Sequence, residues 1–116
     1  MPSVLVVDDH AEFRMSVRAL LDAAGFSVVG EAATGAEAIR AAADLAPDVV
    51  LLDIRLPDLD GIGVADVLAA LPRPPEVILV SSRDRSVYGA RLTGARVRGF
   101  LAKSDLSGTS LRGLLG

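Results

Sequence analysis

Five short apolar runs separated by helix-like stretches constrain the fold of this chain more than any other feature. Runs such as VLVV at 4–7 and VVLL at 49–52 are apolar at successive positions, which is typical of strands buried on both faces. Parallel strands need crossover connections, and right-handed crossovers place helices on both sides of the sheet. The sequence therefore predicts an α/β fold with a mostly parallel sheet. The predicted strands are Ser3–Val7, Phe26–Val29, Val49–Leu52, Val77–Val80 and Val97–Leu101.

Helical patterns between these runs predict five helices. The fourth, from Asp84 to Thr93, is the weakest because Gly89 interrupts it, and a glycine inside a helix costs about 1 kcal/mol relative to alanine. We therefore expect this helix to be short or mobile. The first helix is predicted from the apolar face of Phe13, Val17, Leu20, Leu21 and Ala24, and it ends before Gly25. The second begins with the capping box of Thr34 and Glu37 and ends before Pro47, and the third presents the apolar face of Val64, Val67, Leu68 and Leu71 before Pro72. The fifth extends from Asp105 to Leu115, with Asp105 or Ser107 as its cap.

Composition narrows the classes of function. The 116 residues fit one domain, 1–116, and the absence of cysteine excludes disulfides, thiol catalysis and thiolate metal sites. A cytoplasmic location is the expectation. The longest stretch without a charged residue, Ala23 to Gly30, is too short to cross a bilayer. The net charge of −3 argues against direct binding to duplex nucleic acid, because Lys and Arg supply much of such affinity.

Charge is distributed unevenly along the chain. Residues 1–60 contain 11 acidic and 4 basic residues, whereas residues 61–116 contain 4 acidic and 8 basic residues. This asymmetry predicts an acidic pole. Eleven of the 12 basic residues are arginine, and Lys103 is the single lysine. Because a compact ammonium and a planar guanidinium are not interchangeable, this lysine is a candidate functional residue.

Polar side chains end four of the predicted strands. Asp8 and Asp9 follow the first, Asp53 the third, Ser81 the fourth and Lys103 the fifth. In an open α/β sheet, ligands bind beyond the carboxyl ends of the strands, where the strand order reverses. Converging carboxylates repel one another unless a hard cation joins them, and Mg²⁺ prefers oxygen ligands. The sequence therefore predicts a Mg²⁺ site at the three aspartates, with Lys103 adding positive charge.

These residues, in this order, resemble the receiver domain of two-component response regulators over essentially the whole chain. The matching pieces are VDD at 7–9, the D-x-x-x-P-x-x-x-G run from Asp53 to Gly61, Ser81 and Lys103. Two segments, VDDHAEFRMSVRALL and GFLAKSDL, are further similar to the receiver domains of regulators that carry a helix-turn-helix output domain. The 116 residues do not include such an output domain. The resemblance implies a flavodoxin-like, doubly wound sheet with strand order 2-1-3-4-5 and five helices.

The resemblance also implies a phosphoacceptor site. Asp53 would accept a phosphoryl group from a sensor histidine kinase or a phosphotransfer protein. Asp9 and Asp53 would bind Mg²⁺ directly together with the main-chain carbonyl of Arg55, and Asp8 would assist through water. Lys103 would neutralise charge on the phosphoryl oxygens. The chain would then be a signalling switch and not an enzyme, because its only chemistry is on itself.

A relay to the surface follows from the same resemblance. Ser81 would bond the phosphoryl group and Phe100 would turn inward to fill the space that Ser81 leaves. The surface of the fourth helix, fifth strand and fifth helix would change, and a downstream output domain or protein would respond. Homodimerisation on phosphorylation would be one form of this output.

Simpler interpretations stay open for several of these residues. Asp8 and Asp9 also suit caps of the first helix, and Asp58 and Asp60 suit a turn. His10 fits a solvated loop residue outside the site. The remaining alternatives place Phe100 in the core, Ser81 or Ser82 at a helix cap, and Tyr88 at the surface or facing a partner.

The chain departs from the receiver pattern in two places. Ser104 follows Lys103 where many receivers have proline, which leaves the geometry of that peptide open. Gly94 and its neighbour Ala95 lie two residues earlier than usual, so the fourth helix is expected to end early. Separately, Arg55 and Arg83 occupy positions that flank the phosphoryl group in relatives, and we hypothesise that they slow or redirect the hydrolytic water.

Two other functions compete with the phosphoacceptor switch. The D-x-D-G sequence at 58–61 is similar to the signature of haloacid-dehalogenase-type phosphatases, which use Mg²⁺ and an aspartate nucleophile. That signature needs its first aspartate directly at a strand end, whereas Leu56 and Pro57 separate Asp58 from the predicted strand. A non-phosphorylated interaction scaffold is the third function, and it is disfavoured because every side chain of the switch is present.

Overall fold

A sheet of five parallel strands forms the centre of the structure, a computed structural model that describes residues 1–115. The strands are β1 (Ser3–Val7), β2 (Ser27–Ala32), β3 (Val49–Asp53), β4 (Glu76–Ser81) and β5 (Gly99–Ala102). Their order is β2-β1-β3-β4-β5, and every neighbouring pair is parallel. The predicted class and strand order are confirmed. The chain adds strands on one side of β1 and then on the other, so the winding reverses between β1 and β3.

Five α-helices connect or follow these strands: α1 (Ala11–Ala23), α2 (Gly35–Leu45), α3 (Gly61–Ala69), α4 (Ala90–Thr93) and α5 (Gly108–Leu115). The N–H of Glu37 donates to Oγ1 of Thr34 at the start of α2, as the capping box predicts. Gly25 follows α1 with φ +89°, the left-handed conformation that glycine adopts readily. Ser107 caps α5, because its Oγ accepts a hydrogen bond from the N–H of Ser110. Among the described residues, no helix combines the length and apolar character needed to span a bilayer.

Separate apolar clusters cover the two faces of the sheet. Val4 and Val6 pack with residues of α1 and α5, whereas Leu5 and Val7 pack with residues of α2 and α3. Alternate residues of one strand thus enter opposite clusters, as expected for a strand between two helical layers. Val67, predicted on the core face of α3, is 45% exposed, so that part of the prediction is wrong.

The segment between β4 and β5 is the least regular part of the fold. A 3-10 turn at Arg85–Val87 and Gly89, with φ +53°, precede α4, which has only 4 residues. The helix ends before Gly94, which confirms the expectation of a short helix with an early end. The surface placement predicted for Tyr88 is wrong, because this side chain is only 8% exposed.

Candidate functional site

The candidate residues lie where the carboxyl ends of the central strands meet. Asp8 directly follows β1, Asp53 ends β3, Ser81 ends β4 and Lys103 directly follows β5. Because all these strands are parallel and neighbours in the sheet, their carboxyl ends share one edge. The fold therefore brings Lys103 against Asp8, which lies 95 positions earlier in the chain.

Lys103 links two buried carboxylates. Its Nζ lies 2.6 Å from Oδ2 of Asp8 and 3.5 Å from Oδ2 of Asp53. The Asp8 side chain is fully buried and that of Asp53 is 7% exposed, so both need a cationic partner to remain charged. The ammonium also lies 4.2 Å from the ring centroid of Phe13 on α1, within the range of a cation–π interaction.

The environments of the two carboxylates move their pKa values in opposite directions. Burial raises the pKa of Asp53 to about 6; Lys103 opposes this shift, and the charge of Asp8 adds to it. Burial also acts to raise the pKa of Asp8, but hydrogen bonds from Lys103 and from the N–H of His10 outweigh it and lower that pKa. Asp53 is therefore ionised with difficulty beside Asp8. When both acids are ionised, the single positive charge of Lys103 balances only one of the two negative charges.

Hydrogen bonds hold the turn that carries the two leading aspartates. The N–H of His10 donates to Oδ1 of Asp8 at 2.8 Å, and the guanidinium of Arg14 donates to the main-chain oxygen of Asp8 at 2.6 Å. Arg14 also donates to Glu31 on β2 at 2.9 Å. The N-cap position of α1 is His10 and has no side-chain cap. The interpretation of Asp8 and Asp9 as caps of α1 is therefore wrong.

Oxygen donors suitable for a hard cation are present at this turn. Ligand atoms of Asp8, Asp9 and His10 lie within 4.8 Å of one another. Nδ1 of His10 is 3.1 Å from a carboxylate oxygen of each aspartate, although its side chain is 70% exposed, as a loop residue should be. Asp53 lies outside this group but shares a cavity with Asp9 and His10. The carboxylate oxygens and the unbalanced negative charge around Asp53 together fit a divalent cation.

An open cavity of about 390 Å³ lies over Asp53. Three basic side chains, those of Arg55, Arg83 and Lys103, line this cavity together with the acidic residues. Groups of this charge neutralise phosphoryl oxygens during transfer. The complete lining is Asp9, His10, Asp53, Arg55, Leu56, Pro57, Ser82, Arg83 and Lys103.

Ser81 does not line this cavity. It is 1% exposed, and its Oγ lies 2.6 Å from the hydroxyl of Tyr88 and accepts a hydrogen bond from the N–H of Arg83 at 3.0 Å. Its neighbour Ser82 lines the cavity instead. The Tyr88 ring centroid is 6.1 Å from that of Phe100. Sequence reasoning missed this role of Tyr88 because the irregular segment between the 3-10 turn and α4 has no periodic signal. The tendency of tyrosine to bury its ring and bond its hydroxyl was the available hint.

Asp58 and Asp60 serve the N-termini of two helices. The carboxylate of Asp58 accepts hydrogen bonds from the N–H groups of Gly35 and Ala36 at 2.8 and 3.0 Å, at the start of α2. Asp60 is the N-cap of α3 and accepts from the N–H of Ile62. Neither carboxylate lines the cavity over the phosphoacceptor candidate. The two acids of the D-x-D-G sequence thus have structural partners.

The peptide after Lys103 follows the ordinary course of the chain. No cis peptide bond occurs in residues 1–115, and Lys103–Asp105 form a 3-10 turn. The replacement of proline by Ser104 therefore leaves Lys103 in contact with the two carboxylates.

Comparison with known proteins identifies the family. The profile of the response regulator receiver domain matches residues 4–109. The chain belongs to this family. The receiver domain spans about half the length of the curated relatives that it matches, which contain further sequence beyond the aligned part.

The relatives include regulators of transcription and isolated receiver domains. The NarL transcriptional regulatory protein of Mycobacterium tuberculosis is 43% identical over 105 residues, which are 88% of this chain and 48% of that protein. Response regulator GacA of Pseudomonas viridiflava is 36% identical over 104 residues, 89% of this chain and 49% of that protein. The solved receiver domain of M. tuberculosis NarL has a TM-score of 0.86 at 34% identity and covers 99% of this chain and 97% of its own.

One solved structure bears on the metal site. The receiver domain of the sensor histidine kinase PA1611 from Pseudomonas aeruginosa has a TM-score of 0.82 at 26% identity, covering 98% of this chain and 93% of its own. That crystal structure has a magnesium ion coordinated in the active-site cleft.

Proposed function

We propose that this receiver domain is a phosphorylation-activated switch in which Asp53 accepts a phosphoryl group from a sensor histidine kinase or a phosphotransfer protein. The observation that carries the proposal is the position of Asp53. It ends a buried central strand beneath an open cavity, and Lys103 lies 3.5 Å from its carboxylate. A buried carboxylate beside a second acid and a cation suits nucleophilic attack on a phosphoryl group.

The transfer forms a P–O bond to a carboxylate oxygen of Asp53 and breaks the bond between phosphorus and the donor. Lys103 lies close enough to neutralise the phosphoryl oxygens, with Arg55 and Arg83 at the cavity wall. Asp9, Asp53 and the main-chain carbonyl of Arg55 would hold Mg²⁺ directly, with Asp8 assisting through water. Bound Mg²⁺ would balance the negative charge of these carboxylates and of the phosphoryl oxygens during transfer. The magnesium ion in the related PA1611 receiver supports this assignment.

The output depends on the added charge, about −1.5 to −2 at neutral pH. Ser81 would turn to bond the phosphoryl group and Phe100 would turn inward, which alters the surface of α4, β5 and α5. An output domain or separate protein would read this surface, in some arrangements through homodimerisation. The domain acts in the cytoplasm, has no contact of its own with nucleic acid or membrane, and turns over no external substrate.

Intact mass measurement after incubation with Mg²⁺ and a small phosphodonor tests the proposal. A gain of one phosphoryl group, labile to hydroxylamine and lost in Asp53→Asn or with a chelator, is the expected result. Asp58→Asn is the matched control, since this acid is exposed, serves α2 and should leave the modification intact. Hydrolysis of a phosphate ester without modified protein would favour the phosphatase. An unmodified and inactive protein would favour the interaction scaffold.

A further inference from the structure

The hydroxyl of Tyr88 makes a buried hydrogen bond with a residue of the proposed switch. Its oxygen lies 2.6 Å from Oγ of Ser81, and both side chains are buried. Tyr88 is separated from Ser81 by only 7 positions, yet it reaches back over the 3-10 turn at Arg85–Val87. Nothing in the catalytic chemistry above requires this contact.

This bond occupies the group that phosphorylation needs. Oγ of Ser81 accepts a hydrogen bond from the N–H of Arg83, and in its bond with the hydroxyl of Tyr88 either oxygen can be the donor. With Tyr88 as its second partner, Ser81 is absent from the lining of the cavity over Asp53, where Ser82 is found instead. Because Ser81 lies outside that cavity while it bonds Tyr88, it must move away from Tyr88 before it can bond a phosphoryl group on Asp53.

We propose that Tyr88 is a positioning residue that holds Ser81 in the unphosphorylated arrangement and so sets the fraction of the domain that is ready for activation. The inference rests on the proposed function of Asp53 and Ser81. Phosphorylation exchanges one partner of Ser81 for another, and the released tyrosine hydroxyl must find a new partner or reach solvent.

The surroundings of Tyr88 allow this exchange to reach the output surface. Its ring contacts Phe100 with centroids 6.1 Å apart and planes at 56°, and the guanidinium of Arg85 lies 5.7 Å from the centroid of Phe100. Gly89 with φ +53° follows Tyr88 directly, and then comes the single turn of α4. A movement of Tyr88 therefore displaces Phe100 and α4 together, because the ring contacts one and the chain joins the other.

The substitution Tyr88→Phe tests the bond, since it removes the hydroxyl and keeps the ring. Loss of the bond leaves Ser81 without its buried partner, which penalises the unphosphorylated arrangement. We expect the apparent affinity of the Mg²⁺-loaded protein for a beryllium fluoride complex, a stand-in for the phosphoryl group, to rise roughly two- to tenfold, the equivalent of one net hydrogen bond.

A double-mutant cycle separates the bond from general packing. In a Ser81→Ala background, Tyr88→Phe should leave the beryllium fluoride affinity unchanged. In a Ser82→Ala background, the increase should persist, because Ser82 lines the cavity but does not bond Tyr88. An equal increase in the Ser81→Ala background would show that the effect does not require the bond to Ser81, and it would overturn the inference.

Tyr88 also reports on its own bond, because the chain has one tyrosine and no tryptophan. Fluorotyrosine incorporation therefore gives a single ¹⁹F resonance. We expect this resonance to shift on addition of beryllium fluoride and to shift in the same direction in Ser81→Ala without it. A wild type that binds no beryllium fluoride and accepts no phosphoryl group would overturn the proposed function and this inference with it. A wild type that binds it with the same affinity as Tyr88→Phe, or with an unmoved resonance, would overturn the inference alone.

Discussion

The two sides of the sheet edge that carries the site differ in how firmly they are packed. On one side, all five residues of β3 are buried, and Asp8 and Asp53 are held by Lys103. On the other, α4 is a single turn with no buried residue, and every residue of β5 is half-buried. Segments with few buried contacts open at low free-energy cost. The rigid side suits chemistry that needs fixed groups, and the weakly packed side suits a response that must change shape.

The largest effect should come from disturbing the rigid side at Gly61. A Cβ there would lie 2.6 Å from Cα of Ile54 and would also collide with the main-chain oxygen of Asp53. We expect Gly61→Ala to lower the free energy of unfolding by about 2–3 kcal/mol, because tightly packed backbone cannot yield. Urea denaturation followed by circular dichroism measures it.

Gly63 in the same helix is the matched control for Gly61. No atom lies within 4 Å of a Cβ built there. Gly63→Ala should therefore raise the free energy of unfolding by about 0.5–1 kcal/mol, the ordinary gain from replacing a helical glycine. Similar effects of the two substitutions would contradict the close approach of Gly61 to the phosphoacceptor strand.

The stability of the rigid side should also depend on pH, through Asp53. The pKa of Asp53 is about 6 in the folded protein against 3.8 for a free side chain, so the folded state binds this proton more tightly. The contribution of Asp53 to the free energy of unfolding therefore falls as the pH rises from about 4 to about 6. In the presence of a chelator at pH 7.5, we expect the free energy of unfolding of Asp53→Asn to be about 1–2 kcal/mol higher than that of the wild type. Solvent in the cavity makes this value smaller than the full pKa shift would give. The difference should vanish near pH 4.

Asp58→Asn should show the opposite dependence on pH. Hydrogen bonds from the N–H groups of Gly35 and Ala36 lower the pKa of Asp58, so its contribution is present at neutral pH and lost as the pH falls through its folded-state pKa. Thermal melts of both variants between pH 3 and pH 8 provide the measurement. A stability difference for Asp53→Asn that is constant across this range would refute the raised pKa.

A smaller effect concerns the arginines that join the two sides at the cavity wall. If Arg55 and Arg83 restrict the hydrolytic water, their joint replacement by alanine should speed loss of the phosphoryl group about two- to fivefold, the scale of an exposed electrostatic contact. Phosphorylated protein followed by intact mass over time gives the rate. Arg73→Ala, which removes an arginine outside this cavity, is the control, and an unchanged rate in the double variant would reject the hypothesis.

The smallest effect is expected on the weakly packed side. Gly94 ends α4 with φ −86°, and no atom lies within 4 Å of a Cβ built there. Gly94→Ala should raise the free energy of unfolding by about 0.5 kcal/mol and slow amide exchange in α4, because alanine restricts the unfolded chain. Gly89→Ala should act in the opposite direction, since φ is +53° there. Faster exchange in β3 than in α4 would overturn the comparison itself.

Local sequence patterns were sufficient to predict the strands and helices and the order of the site residues along the chain. Unbroken apolar runs predict doubly buried strands, and Thr34, Gly25 and Gly94 mark helix boundaries through interactions with residues only a few positions away. The placement of Asp8, Asp53 and Lys103 at one edge follows as well, because parallel strands align their carboxyl ends. These inferences depend on short-range sterics and on the periodicity of the backbone.

Contacts between distant or irregular segments were decided only by the tertiary structure. The bond of Asp58 to the start of α2 spans 23 positions, and the ring of Phe13 beneath Lys103 joins opposite ends of the chain. The bond between Ser81 and Tyr88 crosses a 3-10 turn that has no sequence period. Each depends on how whole elements pack, and the raised pKa of Asp53 depends on the burial that this packing creates. Side-chain types along a chain specify which groups are available, whereas the three-dimensional packing determines which of them meet and how strongly they interact.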